Sequence, residues 1–198
     1  MTSRKTVIAT RNAHKLEEIR AIFDWSEGDV LSAFDFPALP EVEEDGDSLE
    51  ANAAKKALET ARATGLRALA DDSGLEVRAL NGAPGVRSAR YAGEACSYAE
   101  NNAKLLSELA DATDRSARFR TVVALAEPDG TVDLVEGICA GRIVEVPRGE
   151  NGFGYDPLFV PEDLDRTFAE LSAEEKNRVS HRAKALRAAK KAWGRALG

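Results

Sequence analysis

The most constraining feature of the sequence is an apolar segment that ends abruptly in two adjacent carboxylates. The segment reads Leu69-Ala70-Asp71-Asp72-Ser73-Gly74. Neighbouring carboxylates repel each other, so such a pair needs a turn geometry, a proton or a cation. Aspartate oxygens at the end of a strand suit Mg²⁺, a hard divalent ion that commonly arrives bound to phosphates. Taken alone, the motif is explained equally well as ordinary polar turn chemistry.

Length and composition indicate a globular protein. The 198 residues, 43% of them hydrophobic, can bury a core as a single domain over residues 1–198. No segment has the apolar length of a membrane span or of a signal peptide, so we expect no membrane partner and a cytoplasmic location. Cys96 and Cys139 match no paired metal or redox spacing, which disfavours zinc and favours a reducing compartment.

The charge is distributed unevenly along the chain. The formal net charge is −7, yet from Lys176 onward there are eight basic residues and no acidic one. The first 175 residues therefore hold 19 basic and 34 acidic residues. Duplex nucleic acid needs a broad positive surface, so this acidic body argues against nucleic acid as the main partner. A small phosphorylated molecule suits the charges better.

Strand and helix patterns alternate along the chain. Residues 5–10 read as a first strand and 15–23 as an amphipathic helix, and a capped helix is expected from residue 48 to Gly65. Residues 67–70 and 75–80 read as strands on either side of the aspartate turn. A Pro-Asp-Gly sequence typical of a hairpin follows, and then a basic last helix. The alternation of strands and helices along the chain predicts a mixed α/β sheet.

Polar groupings fall where loops meet these elements. The first, between a strand and a helix, is Thr10-Arg11-Asn12-Ala13-His14-Lys15. Backbone amides at a helix N-terminus favour anions, and Lys15 adds a positive charge. The segment lacks P-loop spacing, so ordinary strand-to-helix punctuation explains it as well. The second grouping is Glu44 in an acidic loop with Lys56 on the next helix, where a solvated lysine is the simpler interpretation.

A further grouping combines Phe153-Gly154-Tyr155-Asp156 with three residues near the last helix, Lys176, His181 and Arg182. Aromatic rings around a glycine indicate a flat ligand, because such rings stack on nucleobases. Packing of both rings in the core is a fair competing interpretation. Arg182 is harder to explain structurally, because the helix dipole disfavours a cation at a helix start.

With these motifs, the chain resembles the inosine triphosphate pyrophosphatases, which include the bacterial dITP/XTP pyrophosphatases that remove deaminated purine nucleotides. The matching stretches occur in the family's order and are residues 9–15 (ATRNAHK), 43–46 (EEDG), 52–57 (NAAKKA), 71–75 (DDSGL), 82–91 (GAPGVRSARY), 153–159 (FGYDPLF) and 180–182 (SHR). Each stretch is weak alone, but the ordered set is specific and spans nearly the whole chain.

The resemblance implies hydrolysis between the α and β phosphates of a purine nucleoside triphosphate. It implies that Asp72 is the general base and, with Glu44, a ligand of Mg²⁺. Residues 10–15, Lys56 and Ser73 would contact the phosphates. Phosphoryl transfer depends mostly on positioning and charge neutralisation, so cations around a triphosphate are physically reasonable.

For the base, the resemblance implies that the purine stacks on Phe153 beside Gly154, Tyr155 and Asp156. Lys176, His181 and Arg182 would then face its keto edge. Arginine has donors only, so it pairs with a 6-oxo group and opposes the 6-amino group of adenine.

The resemblance also implies an elongated mixed β-sheet flanked by helices, with two lobes, a central nucleotide cleft and a homodimer. Two alternatives stay open. One is a modified-pyrimidine nucleotide pyrophosphatase of similar architecture. The other is a non-catalytic nucleotide- or RNA-binding module that uses the basic C-terminal helix.

Overall fold

The computed structural model describes residues 5–23, 25 and 30–197, with side chains as far as residue 194. The helices α1 to α5 are, in chain order, Ala13–Ile22, Leu49–Thr64, Tyr98–Glu108, Ala173–Val179 and His181–Leu197. The strands β1 to β7 are Thr6–Ile8, Val30–Ser32, Arg67–Val77, Pro84–Gly85, Ser116–Ala126, Val132–Ile143 and Phe159–Pro161. None of the helices in this part of the chain is both long and apolar enough to cross a membrane.

All seven of these strands belong to one sheet. Its order is β2-β1-β3-β5-β6-β7, and β4 pairs with β3 outside this path. Strand β1 runs parallel to both of its neighbours, whereas β4 is antiparallel to β3 and β7 is antiparallel to β6. The prediction of a mixed sheet flanked by helices is therefore confirmed.

Side-chain caps set the ends of the first two helices. The side chain of Asn12 accepts a hydrogen bond from Lys15 N at 3.2 Å and so caps α1. Ser48 caps α2 in the same way, accepting from Ala51 N at 3.1 Å. Helix α2 stops at Gly65, whose φ of 69° is a left-handed conformation that glycine adopts without strain. These residues explain why the sequence locates α2 so closely.

The aspartate pair does not lie in a turn. Strand β3 continues unbroken from Arg67 to Val77, so the predicted division into two strands around a turn is wrong. Leu69 and Leu75, on either side of the pair, are both fully buried, which holds the segment in the sheet. Successive side chains of a strand point to opposite faces, so Asp71 and Asp72 project to different sides of β3.

The described residues fall into two compact units. The first comprises those within 1–72, 121–137 and 182–198. Its core packs strand residues against one face of α1 and of α5; the buried members are Ile8, Leu16, Ile19, Phe23, Leu69, Val123, Leu125, Ala185, Leu186 and Ala189. Burying one large apolar side chain stabilises a fold by roughly 1.5–3 kcal/mol. The core therefore fixes α1 and α5 against β1, β3 and β5.

The second unit comprises residues 73–120 and 138–181. Several aromatic rings pack together in its core: the Phe119 ring packs edge-on against Phe159 at 4.8 Å and is stacked on Phe168 at 6.0 Å. The loop before β7 is held tightly, because a Cβ atom on Gly149 would overlap the main-chain carbonyl group of Ala169. The interpretation of residues 1–198 as a single domain stays a prediction.

Candidate active site

The two adjacent carboxylates have separate sets of partners. Asp71 Oδ2 lies 3.1 Å from Lys15 Nζ and 3.1 Å from Arg182 Nε. Asp72 Oδ2 accepts a hydrogen bond from Asn52 Nδ2, also at 3.1 Å. Helices α1 and α5 supply the partners of Asp71, and α2 supplies that of Asp72. Alternation along β3 thus lets the two carboxylates coexist, because each meets its own donors.

Asp71 is the anchor of a buried charge cluster. Burial would raise the pKa of Asp71, but the charges of Lys15, Arg182 and Lys56 outweigh it and hold that pKa well below its usual value. The Arg182 guanidinium also donates to Glu18 on α1. Burial opposes the charge on Arg182, yet Asp71 and Glu18 together raise its pKa. Asp71 is therefore ionised and fixes the positions of the surrounding cations.

Lys56 brings two further carboxylates together. Its Nζ donates to Glu44 Oε1 at 2.6 Å and to the main-chain oxygen of Asp71 at 2.6 Å, and it lies 3.9 Å from Asp72 Oδ1. The side chain is buried, so the interpretation of Lys56 as a solvated residue is wrong. Burial lowers the pKa of Lys56, but Asp72 and Glu44 outweigh it and raise that pKa. Glu44 and Asp72 thus face the same ammonium group.

Asp72 differs from its neighbour in its titration. Burial raises the pKa of Asp72, the cation of Lys56 opposes the rise, and Glu44 adds to it; the net shift is upward. A carboxylate with a raised pKa accepts a proton more readily at neutral pH. Asn52 orients this carboxylate, and its Oδ1 also accepts from Gly46 N at 2.8 Å, which ties the acidic loop to α2.

The oxygen atoms of Glu44 and Asp72 fit a hard divalent cation. Across residues 5–23, 25 and 30–197, no group of three or more His, Cys, Asp or Glu side chains is arranged to hold a metal ion. Mg²⁺ usually takes one or two carboxylates and completes its shell with water and phosphate oxygens. The pair therefore suits a magnesium ion that arrives with a polyphosphate better than a closed site of protein ligands. Their role as ligands stays a prediction.

The segment at the start of α1 is ordered by local hydrogen bonds. Thr10 Oγ1 accepts from Asn12 N at 3.2 Å, and Arg11 Nη2 donates to the main-chain oxygen of Leu39 at 2.5 Å. The exposed first turn of the helix carries Ala13 and His14. Lys15, the last residue of this predicted phosphate-binding segment, lies beside Asp71. Burial lowers the pKa of Lys15 more than the charge of Asp71 raises it.

In the second unit, Asp156 organises the glycine-rich loop. Its Oδ2 accepts from Phe153 N at 2.8 Å and from Lys176 Nζ at 2.7 Å. The same ammonium lies 4.7 Å from the centroid of the Phe153 ring, over its face. Gly154, with φ of 64°, supplies the left-handed residue that turns the loop. The structure thus brings Phe153, Asp156 and Lys176 together, as the pattern of the sequence suggested.

Three predicted contact residues have structural partners. The Tyr155 hydroxyl donates to the main-chain oxygen of Ser88 at 2.9 Å, and its ring belongs to the buried core. The His181 ring stacks on Phe119 with centroids 4.4 Å apart. Ser73 follows Asp72 on β3 and is half-buried. Core packing therefore accounts for the burial of Tyr155 and His181, and substrate contact by all three stays a prediction.

The position of Arg182 explains why a cation stands at a helix start. Its guanidinium meets Asp71 and Glu18, whose charges compensate for the unfavourable helix dipole. Its contact with a purine stays a prediction. The sequence interpretation did not single out Glu18. The available signal was its spacing of three residues from Lys15, which places both on one face of α1.

Comparison with known proteins gives consistent results. A sequence model of the Ham1 family matches residues 6–192. The chain is 53% identical over 180 residues to a dITP/XTP pyrophosphatase of Desulfotalea psychrophila, covering 91% of this chain and 81% of that protein. It is 52% identical over 187 residues to the dITP/XTP pyrophosphatase of Desulforamulus reducens, covering 93% of each.

Solved structures agree with the sequence relatives. A HAM1 protein from Coxiella burnetii superposes with a TM-score of 0.89 at 43% identity, over 97% of this chain and 99% of that one. A nucleoside-triphosphatase described as a dITP/XTP pyrophosphatase, from Mycobacterium abscessus, gives a TM-score of 0.77 at 47% identity, over 93% and 98%. The resemblance inferred from the sequence is confirmed, and the chain belongs to the Ham1 family.

Proposed function

We propose that this protein hydrolyses deaminated purine nucleoside triphosphates (dITP, ITP and XTP) to the nucleoside monophosphate and pyrophosphate, and so cleanses the nucleotide pool. The observation that carries the proposal is the approach of Glu44 and Asp72 to one ammonium group, that of Lys56. Acidic oxygens and cations at such short range match a magnesium–polyphosphate group in charge and in chemistry. The dITP/XTP pyrophosphatases among its relatives support the same substrate class.

In this proposal Asp72 is the general base and Glu44 is its partner in holding Mg²⁺. When bound, the ion would lower the pKa of coordinated water and neutralise phosphate charge. Asp72 accepts the proton of the attacking water at its carboxylate, which lies 3.9 Å from Lys56 Nζ. Asn52 holds that carboxylate in a fixed orientation through its bond to Oδ2. Ser73 donates a hydrogen bond to the substrate near the reacting phosphate.

The cations of the first unit neutralise the remaining phosphate charge. Residues 10–15 lead into the N-terminus of α1, a position that favours an anion, and Lys15 stands in the first turn of this helix. Lys56 approaches the phosphates from α2. Phosphoryl transfer passes through a transition state with charge spread over several oxygens, so two fixed ammonium groups stabilise it electrostatically. Asp71 does not react in this scheme but anchors Lys15.

The second unit supplies the base-recognition residues of the proposal. Phe153 stacks on the purine, Gly154 permits close approach of the backbone, and Tyr155 and Asp156 complete the loop. In this proposal Lys176, His181 and Arg182 select the 6-oxo edge of the base. An adenine would leave a donor facing its 6-amino group, and an unpaired buried donor costs roughly 1–3 kcal/mol.

Product analysis tests the proposal directly. The protein is incubated with dITP, XTP, dGTP, dATP and a modified pyrimidine triphosphate, each with and without Mg²⁺. We expect pyrophosphate and nucleoside monophosphate from dITP and XTP, only with the metal. Release of orthophosphate from the γ position would contradict the cleavage site, and preference for the pyrimidine would overturn the substrate class.

We further propose that the protein is a cytoplasmic homodimer, as the family resemblance implies, with no membrane or nucleic-acid partner. Sedimentation at micromolar concentration tests whether the protein is a homodimer, and a monomer at every concentration would contradict the proposal. Titration with single-stranded RNA at low salt tests whether the protein lacks a nucleic-acid partner. Tight binding that weakens steeply with salt would instead favour a role for the basic C-terminal helix.

A further inference from the structure

Two residues near the start of α3 contact the loop that carries Phe153. The ring of Tyr98, the first residue of the helix, lies 6.2 Å from the Phe153 ring, centroid to centroid, at an interplanar angle of 43°. Asn102 Nδ2 donates to the main-chain oxygen of Gly154 at 3.1 Å. Residues four apart share one face of a helix, so both contacts come from the same side of α3.

The conformation of this glycine-rich loop depends on contacts with other segments. Residues 149–154 include Gly149, Gly152 and Gly154, all with positive φ. Glycine loses more conformational freedom on ordering than any other residue, so this segment depends on contacts from elsewhere to fix it. Asp156 and Lys176 provide one such set of contacts from the interior of the unit. The two residues of α3 provide a second set.

Burial alone does not explain Tyr98. The residue is 47% exposed, so the core gains little from its ring. An aromatic pair in this geometry contributes beyond the area that it buries, and it restricts the orientations of both rings. A ring that is already fixed before its ligand arrives loses less entropy on binding. The contact therefore has a larger effect on the orientation of Phe153 than on folding.

We propose that Tyr98 and Asn102 are positioning residues, which hold the Phe153 ring where the purine stacks. The proposal rests on the proposed function, because it takes Phe153 as the stacking ring. Tyr98 restricts the plane of that ring, and Asn102 fixes the main chain immediately after it. Neither residue takes part in the chemistry, so their loss weakens base binding and leaves the hydrolytic step intact.

Steady-state kinetics of Tyr98→Ala and Asn102→Ala with ITP and Mg²⁺ test the inference. We expect KM to rise roughly 2- to 10-fold, the range that an aromatic or hydrogen-bonded contact supports, with kcat little changed. Inhibition by pyrophosphate, which has no base, keeps its inhibition constant. A merely structural role would lower kcat through loss of folded enzyme and leave KM alone. Equal KM values in wild type and both variants would overturn the proposal.

Matched variants identify the group responsible. Tyr98→Phe keeps the ring and should keep the wild-type KM; a rise as large as that of Tyr98→Ala would assign the effect to the hydroxyl and contradict ring positioning. Ser107→Ala, at an exposed position of the same helix, controls for changes in α3 itself. It should leave both constants unchanged.

A double-mutant cycle tests whether Tyr98 acts through Phe153. In a Phe153→Ala background, Tyr98→Ala should raise KM no further, because the ring that it positions is gone. A second rise equal to that in the wild-type background would show an independent effect and overturn the inference. If the wild-type protein hydrolyses no purine nucleoside triphosphate at all, the proposed function fails first, and that outcome is distinct from unchanged KM values in an active enzyme.

Discussion

Arg182 Nε lies 3.1 Å from Asp71 Oδ2, and each of these residues is only 2% exposed. The pair joins the first turn of α5 to the middle of β3. Glu18 contacts the same guanidinium, so two carboxylates surround one cation away from water. Removing one member of a buried pair leaves the other charge uncompensated, which costs far more than the pair contributes when intact.

Replacing Arg182 should therefore destabilise the fold strongly. We expect Arg182→Met to lower the free energy of unfolding by about 3–5 kcal/mol, because Asp71 and Glu18 lose their shared partner. Urea denaturation followed by circular dichroism measures the loss. Arg178→Met is the matched control: it removes an exposed pair with Glu174 on α4 and should cost less than about 1 kcal/mol. Similar losses in both variants would contradict the role assigned to the buried pair.

Glu175 should titrate far below an ordinary glutamate. Its contact with Arg166 and its capping bonds with Ser172 lower its pKa to about 2. Because the folded pKa lies below the unfolded value, its stabilising effect is complete above pH 4.5 and is lost as the pH falls toward 2. Carboxyl NMR titration measures the pKa directly.

The contact with Arg166 should be the largest single contribution to that shift. In Arg166→Gln the pKa of Glu175 should rise toward that of an ordinary glutamate, because the hydrogen bond from a cationic side chain is gone. Arg178→Gln, on the same helix as Glu175, should leave its titration unchanged. An unchanged pKa in Arg166→Gln would show that the cap alone lowers it, contrary to this account.

The sequence located the polar residues of the site better than it located their partners. The apolar run before Asp71 and the alternating pattern after it identified the strand, because burial requires a regular pattern of side chains. The interpretation of the pair as a turn failed because like charges were considered without the helices beside them. Glu18 and Arg182 are 164 residues apart, and a contact that depends on helix packing leaves no local signal.

Long-range contacts also determine which side chains surround the Phe153 ring in the proposed base-recognition loop. The glycines of residues 149–154 predicted a loop, and Phe153 placed an aromatic ring within it. The contacts of that ring with Tyr98 and Lys176 depend on how α3 and α4 pack in the second unit. Spacing along the chain carries no information about such packing, so the contact with Tyr98 emerged only from the fold. Lys176, in contrast, was already grouped with the loop in the sequence analysis.

Gly149 should be intolerant of a side chain. Its φ is +83°, and an added Cβ would overlap the carbonyl of Ala169 and lie 2.5 Å from Glu170 N, both main-chain groups that cannot move aside easily. Gly82 is a matched control, with φ of +91° and nothing within 4 Å of its added Cβ. We expect Gly82→Ala to cost about 1–2 kcal/mol from backbone strain alone.

Gly149→Ala should cost more than this control by about 1–3 kcal/mol, the usual penalty for overpacking. The midpoints of urea unfolding compare the two variants. Equal losses would mean that the loop shifts without cost, and the packing of Gly149 against residues 169–170 would then not constrain it.

Asp72→Asn should abolish turnover and leave the protein folded. The substitution removes the proposed base and a charged metal ligand but keeps the shape of the side chain and an oxygen that can accept from Asn52. Because burial raises the pKa of Asp72, the fold already disfavours its charge, and a neutral amide is tolerated there. We therefore expect the free energy of unfolding to change by less than about 1.5 kcal/mol, within the range of a mild substitution.

Asp71→Asn provides the contrast, since the low pKa of Asp71 means that the fold requires its charge. That variant should lose stability by about 3–5 kcal/mol, because Lys15 would lose the carboxylate beside it and Arg182 would keep only Glu18. Turnover of dITP, measured as pyrophosphate release per folded molecule, separates the two effects. Near-normal turnover in Asp72→Asn would remove Asp72 from its catalytic role. Equal destabilisation in both variants would contradict the opposite pKa shifts of Asp71 and Asp72.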